Sequence, residues 1–537
     1  MKMHFRLKYL LVFMFATFVL EASAQGYSYY ENTQFDPFQR QTYRVGNKTL
    51  HSSLRSYYLD ELNAVFNTDS VLYDGIRLPQ KKMNIFRNFL FDDFLSWRSK
   101  EDNVYVAINP LFDFQVGTDC GKTTYTNSRG FYVNGNLGKN FWFYMDFSEN
   151  QATYPEYFEN YAEEHEVVPG QSNYRDETSA FDFQVANGYI AFNINKFIQI
   201  QAGKTKTFIG DGYRSLLLSD FACSYPMIRM FATFMNVKYM MMIAQLRTTD
   251  AQGVSNNGFR TKYSFTHYLD WNLWGRWTIG LFENVTMASW RKTGESRSID
   301  WEYVNPFIIF RAGEYNAGSP DKMLVGMNTK IILARWLTIH GQLMFNEFRA
   351  KELFSDSKYW SNKYGFLAGM KIFNLFAARG LDFQAEYSQV RPFCYSQFDA
   401  MGTYTHNGQP LAHPLGANFR EFVSILNYRH KRVSARAQFN IAQYGDDFPN
   451  DTISYGHNPD IASNYRNADY GVEMLQGVKT KLVYGDASMS FIINPRSMLN
   501  LTLGFRYRKC TSDYVDEESK HFYFALRWSL KNLYYDF

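Results

Sequence analysis

The sequence predicts an all-β chain: a transmembrane antiparallel β-barrel of about 18 strands (16–18), with a small helical N-terminal segment on the periplasmic side. Three observations carry this. The chain opens with an export signal, its strands alternate apolar and polar residues, and the links between them fall into short and long classes.

The export signal sets the compartment. Lys2, Arg6 and Lys8 form a basic n-region, Leu10 to Leu20 an apolar h-region, and Ala22-Ser23-Ala24 a small-residue cleavage site. That order marks a secretory signal peptide over 1–24, cut after Ala24. The apolar run is about half the roughly 20 residues that a membrane-spanning helix needs. No later stretch is long and apolar enough for such a helix, which leaves a soluble exported chain or a barrel.

Composition separates these two. Aromatic residues make up 18% of the 537 residues, with 49 Phe and 40 Tyr against only 14 Pro, and the mean hydropathy is −0.38. A chain so aromatic yet polar on average suits strands placed between lipid and a wet lumen, with aromatic girdles at both interfaces. The formal charge of +4 carries no nucleic-acid footprint. Four cysteines (Cys120, Cys223, Cys394, Cys510) are too few for a disulfide scaffold; a bridge or two between outer loops stays open, with no pairing assigned.

Alternation identifies the strands. Leu499, Leu501, Leu503, Phe505 and Tyr507 fall on one face, and Asn500, Thr502, Gly504, Arg506 and Arg508 on the other. Leu381, Phe383, Ala385 and Tyr387 oppose Asp382, Gln384, Glu386 and Ser388 in the same way. Val433 to Ile441 and Phe522 to Trp528 repeat the pattern. A half-exposed soluble sandwich alternates too, but its strands usually have about five or six residues; these run well beyond that.

Tight links are expected near residues 138–140, 195–196, 235–236, 272–275, 334–335, 374–380, 430–432 and 494–497. Long links fall at roughly 115–128, 150–180, 210–226, 249–257, 291–322, 350–362, 394–420, 447–475 and 511–519. With a strand at about 227–235 the two classes alternate strictly, as short periplasmic turns and long outer loops should. The barrel then covers 104–537. Residues 25–103 form the periplasmic segment, with helices expected over Ser56 to Phe66 and Met83 to Trp97, as a cap or as a plug. In the stretch Phe197 to Ile209, Lys204 and Lys206 fall in the lipid-facing phase, which predicts a bulge or an exit from the membrane there.

No catalytic or metal motif stands out, so no catalytic residue, metal ligand or cofactor is assigned, and the chain is read as a non-enzyme. The run Glu156, Glu159, Glu163, Glu164 and Glu166, among Tyr154, Tyr157, Phe158 and Tyr161, is either a cation or glycan site or a solvated face. Loop 291–322 is more suggestive. Trp290, Trp301, Tyr303, Phe307 and Tyr315 mix there with Arg291, Arg297, Asp300, Arg311 and Glu314. Flat rings beside paired polar groups suit sugars; they equally suit loop packing or the outer girdle.

A second stretch carries a family resemblance. In Gly203 to Met230 a strand runs into Gly210-Asp211-Gly212, then Tyr213-Arg214-Ser215-Leu216-Leu217-Leu218-Ser219-Asp220, then Tyr225-Pro226. With Val390-Arg391-Pro392-Phe393 and Leu411 to Glu421, it resembles the Wzi-like capsule-assembly family, especially the gliding-motility-associated outer-membrane proteins of Bacteroidetes. The resemblance implies an 18-stranded outer-membrane barrel with periplasmic helices. It also implies a non-catalytic surface role: outer loops that hold polysaccharide for capsule assembly or attachment, or that serve gliding. The expected partners are surface polysaccharide, outer-membrane lipid and the barrel-assembly machinery, with no nucleic acid, and the barrel is expected to be monomeric. The candidate glycan-binding residues are Asp211, Tyr213, Arg214, Trp290, Arg297, Trp301, Tyr303 and Arg311. The alternative is a porin-like channel for small solutes, motivated by the charged lumen-facing residues.

Overall fold

The computed structural model describes residues 28–29, 36–44, 46, 49–55, 57–78, 84–101, 103–175, 180–248, 260–289, 296–305, 322–347, 349–353, 356–398, 400–449, 451–528 and 533–537. The signal peptide, Trp290, Arg311 and most of loop 291–322 lie outside the described residues.

Eighteen long antiparallel strands close into a barrel, each paired with its neighbours in the chain. They are β1 (Val104–Asp119), β2 (Lys122–Leu137), β3 (Phe141–Thr153), β4 (Phe181–Asn193), β5 (Ile198–Thr205) and β6 (Tyr225–Phe234). Then follow β7 (Val237–Thr248), β8 (Arg260–Leu273), β9 (Trp277–Ala288), β10 (Lys322–Ala334), β11 (Leu337–Glu347) and β12 (Lys363–Ile372). The last six are β13 (Leu381–Val390), β14 (Phe419–His430), β15 (Val433–Asp446), β16 (Val478–Asn494), β17 (Leu499–Thr511) and β18 (Asp516–Trp528). The strand expected at 227–235 is β6.

Burial is inverted relative to a soluble sheet. On β17 and β18 the apolar residues face outward, with Leu503 65% and Phe522 57% exposed, while Asn500, Thr502 and Arg506 are buried in the lumen. An apolar outside around a polar inside is the arrangement a bilayer demands.

Two expectations about links need correction. The long loop expected at 115–128 is a two-residue hairpin, because β1 and β2 run on until Asp119 faces Lys122. Cys120 and Gly121 make the turn with φ of 47° and 93°, the positive-φ geometry that matches strand twist in tight hairpins. The link at 511–519 is likewise short, since Thr511 already pairs with Asp516. Link length therefore does not alternate strictly, although the even strand count stands.

The N-terminal segment is less helical than expected. Its helices include Leu59–Asn63, Thr68–Leu72 and Ile85–Phe91, and Asn84 caps the last by accepting from the Arg87 N–H at 3.0 Å. Leu95–Arg98, expected to be helical, is a strand instead. Its reason lies in the barrel seam. β18 pairs with β1 only from Asp113 to Asp119, and Leu95–Arg98 pairs with the remaining edge at Tyr105–Ile108. An open strand edge at membrane depth must find hydrogen-bond partners, and the N-terminal segment supplies them.

Beyond β5 the expected break is present. The strand stops at Thr205, Lys204 is exposed, and Lys206 turns inward to donate to the Gly170 and Asp220 carbonyls at 2.8 and 3.0 Å. All four cysteines are free thiols.

Candidate functional site

Three segments enter the lumen and meet there. The first is the N-terminal stretch. His51 pairs with Asp270 of β8 at 2.6 Å, Ser53 donates to the same carboxylate, and Tyr268 donates to the Ser53 hydroxyl at 3.0 Å. Of the cap and plug alternatives, these residues follow the plug.

The second is segment 206–224, expected as an outer loop and found folded inward. Leu216, Leu217 and Leu218 are buried in a core with Tyr395, Tyr404 and Leu411. Tyr395 and Tyr404 donate to the carbonyls of Leu216 and Leu217, both at 2.9 Å. Asp211 joins this segment to the first, accepting from the Tyr43 hydroxyl at 3.0 Å and from Ser52 at 2.5 Å. Asn328 of β10 donates to its other oxygen at 3.2 Å.

The third is the tail 533–537, which lies inside the barrel. Phe537 sits among Tyr161, Phe158 and Phe221, with ring centroids 4.7, 5.7 and 5.6 Å away. Its carbonyl oxygen accepts from Arg508 at 3.0 Å, and Tyr534 donates to Asp220 at 2.6 Å. Tyr157, Phe158 and Tyr161 of the Glu156–Glu166 run are thus the inner face of the helix Glu156–His165, packed on the tail, and Tyr154, just before the helix, joins the same cluster. Glu159 of that run caps the Tyr154 N–H at 2.9 Å and pairs with Lys122.

Arg214 is where the segments converge. Its guanidinium is buried and grips Glu421 of β14 through Nε at 2.9 Å and Nη2 at 2.7 Å. Its outer nitrogens reach Asp536 of the tail, with Nη2 to Oδ2 at 3.0 Å and Nη1 to Oδ1 at 3.3 Å. His413 approaches Glu421 at 2.7 Å. Glu386 of β13 accepts the backbone N–H groups of Tyr213 and Arg214, the latter at 3.1 Å. Gln438 and Asn440 of β15 donate to Asp536 at 2.6 and 2.7 Å, and the Tyr213 hydroxyl at 3.0 Å. Buried charge persists only when paired and hydrogen-bonded, and here every partner is in place.

Asp211, Tyr213 and Arg214 are therefore brought together, inside the barrel rather than on its outer face. The other described candidates stand apart. Tyr303 is buried against Phe265, Val285 and Met287, so its ring serves packing. Trp301, two residues away, is 80% exposed. The backbone N–H of Arg297 donates to the Ser289 carbonyl at 2.6 Å, just beyond the end of β9. Sequence reasoning missed Glu421 and Asp536 as partners of Arg214. The inward phase of β14 and β15 was the available signal; the tail's return into the lumen had none.

Among the described residues, three outer loops, 349–362, 391–418 and 447–477, form a roof. Backbone bonds knit it: Trp360 N–H to the Asp469 carbonyl at 2.9 Å, Phe393 N–H to Gly456 at 2.9 Å, and Ala417 N–H to His457 at 3.0 Å. Arg466 lies 4.2 Å over the Trp360 ring, Arg349 lies 4.8 Å over Tyr359, and Tyr359 packs on Tyr470 at 5.2 Å. Tyr470 is more than half exposed, with Lys358 paired to Glu473 beside it. Trp360 and Tyr359 are buried under these contacts and brace the exposed Tyr470, whose ring can stack on a sugar face while the charge pair beside it bonds hydroxyls.

No curated protein is similar enough in sequence to match the chain. Among solved structures it is similar to Wzi, described as an outer-membrane protein involved in group 1 capsule assembly in Escherichia coli and as a carbohydrate-binding β-barrel. The identity is 12%, covering 94% of this chain and 100% of that one, with a TM-score of 0.53. The OprD outer-membrane protein of Pseudomonas aeruginosa is more distant, at 9% identity over 81% of this chain and 96% of that one, with a TM-score of 0.43. The model of the capsule assembly protein Wzi family matches residues 115–520, and the chain belongs to that family of outer-membrane barrels.

Proposed function

We propose that the protein binds surface polysaccharide at its outer face and serves capsule assembly or attachment without catalysing a reaction. The observation that carries this reading is the roof: three loops locked to one another by backbone hydrogen bonds, with Tyr470 exposed on them above the buried Tyr359 and Trp360 rings, and with Trp301 exposed on the separate 291–322 loop. Family membership and the carbohydrate-binding description of the Escherichia coli barrel support the ligand class. Gliding would be a second use of the same attachment.

The filled lumen favours attachment over conduction. Segments from the N-terminus, from 206–224 and from the tail occupy it and are tied to β8, β10, β13, β14 and β15. The test is retention of the purified protein on the source organism's own surface glycan, together with a deletion strain. Retention, with loss of capsule in the deletion strain, supports the reading. No retention, with capsule and spreading intact, overturns it.

A further inference from the structure

The seat of Asp536 has the composition of a binding site for an external carboxylate. Five donor groups converge on one side chain: Arg214 Nη1 and Nη2, Gln438 Nε2, Asn440 Nδ2 and the Tyr213 hydroxyl. All but Asp536 itself belong to the wall or to the clamped 206–224 segment. Arg214 is also held by Glu421 through Nε and Nη2, so it keeps a buried carboxylate partner when Asp536 is away. The occupant differs in kind. It comes from a tail that joins no strand and is held by aromatic packing and a few hydrogen bonds.

The seat opens into a chamber. A cavity of about 180 Å³ lies between the tail and the wall, lined by Tyr213, Gln438, Asp536, Tyr535, Arg436 and Arg506 among others. That is room for roughly six waters at about 30 Å³ each, the scale of a single pyranose ring. Its walls alternate guanidinium and phenol: Arg506 lies 4.2 Å from the Tyr523 ring and 3.7 Å from the Tyr535 ring, and Arg436 lies 5.6 Å from Tyr213. Rings and planar donors of this kind recognise sugars, and convergent charged donors recognise carboxylates.

We infer that the Arg214–Gln438–Asn440–Tyr213 cradle is a lumen site for a carboxylate-bearing sugar, which Asp536 occupies in cis while the tail is seated. The ligand's carboxylate takes the place of the Asp536 carboxylate, and its ring fills the chamber. The choice of a sugar rests on the surface-glycan reading; the carboxylate rests on the donor set alone.

The experiment uses the full-length mature protein in detergent, with D-glucuronate and D-galactose as probes, read by calorimetry. Asp536→Ala vacates the seat and leaves the donors, whereas Asp536→Asn refills it with an amide. A third variant lacks residues 533–537. Each must first migrate as a folded barrel without heating. Glucuronate should bind Asp536→Ala at least ten-fold more tightly than the wild type or Asp536→Asn, and galactose should bind none of them. Folded Asp536→Ala that ignores glucuronate, or takes both sugars equally, overturns the site. Should the deletion variant fail to fold, Asp536→Ala decides alone. Tyr470→Ala in the Asp536→Ala background separates the two readings. It should leave glucuronate binding unchanged whether or not polymer retention at the roof is lost, and loss of glucuronate binding there would count against a separate lumen site.

Discussion

Arg214 and Glu421 stand 207 residues apart in the chain and meet as a two-pronged buried ion pair inside the barrel, at 2.7 and 2.9 Å. The pair fastens an inward-folded loop segment to the wall, and Asp536 adds the tail to the same knot.

Arg214→Met should be strongly destabilising, because it strands two buried carboxylates. Removing one partner of a buried pair typically costs about 3–5 kcal/mol. Arg214→Lys should cost less but remain measurable, since an ammonium cannot reproduce the fork on Glu421. Thermal unfolding followed by heat-modifiable migration checks both, and a wild-type-like Arg214→Met would show that the knot is dispensable.

The outward phase of the strands can be tested on its own. Leu503 faces lipid between Met489 of β16 and Phe524 of β18. Leu503→Arg should destabilise the barrel by about 2–4 kcal/mol, the range for an arginine near the bilayer midplane. Thr502→Ser, one residue along and facing the lumen, should be nearly silent in the same denaturant titration.

Acid should weaken the roof through His406. Burial, with Lys262 and Arg247 nearby, pushes its pKa down to about 3, and its Nδ1 accepts the Arg247 N–H at 3.0 Å. The unfolded value is about 6.5, so the folded state binds the proton more weakly. Its contribution is complete above about pH 6.5 and is progressively lost as the pH falls toward 3, by about 2 kcal/mol at pH 5. His406→Gln, which keeps an acceptor but does not titrate, should flatten the dependence of the melting temperature between pH 7 and 5. An unchanged slope would remove His406 from the explanation.

On the outer face, Tyr470→Ala should reduce retention on the organism's surface glycan several-fold while leaving the fold unchanged, in line with about 0.5–1.5 kcal/mol per stacked ring. Trp301→Ala tests the remaining exposed candidate in the same assay. Equal retention of the double variant and wild type would move the binding face elsewhere.

The barrel was legible because a bilayer imposes a period-2 pattern that local sequence must obey; β13, β15, β17 and β18 each show it. The Cys120–Gly121 hairpin was misread because polar strand ends that rise above the membrane look like loop. The same ambiguity hid the inward path of 206–224: a Gly-Asp-Gly turn marks a bend but not its direction. The Arg214 partners lie on β14 and on the tail, brought near only by closure of the ring, and single-chain spacing does not encode that contact. Trp301 and Tyr303 show the limit at the scale of one residue pair, since composition placed both in the loop and only packing buried the second.

The splint at the seam also constrains how this protein can be dissected. A version started at residue 104, where the long strands begin, would not be a trimmed barrel. It would leave Tyr105–Ile108 as a bare backbone edge facing hydrocarbon. Residues 95–98 are masonry rather than leader, and any minimal version of this wall must begin upstream of them.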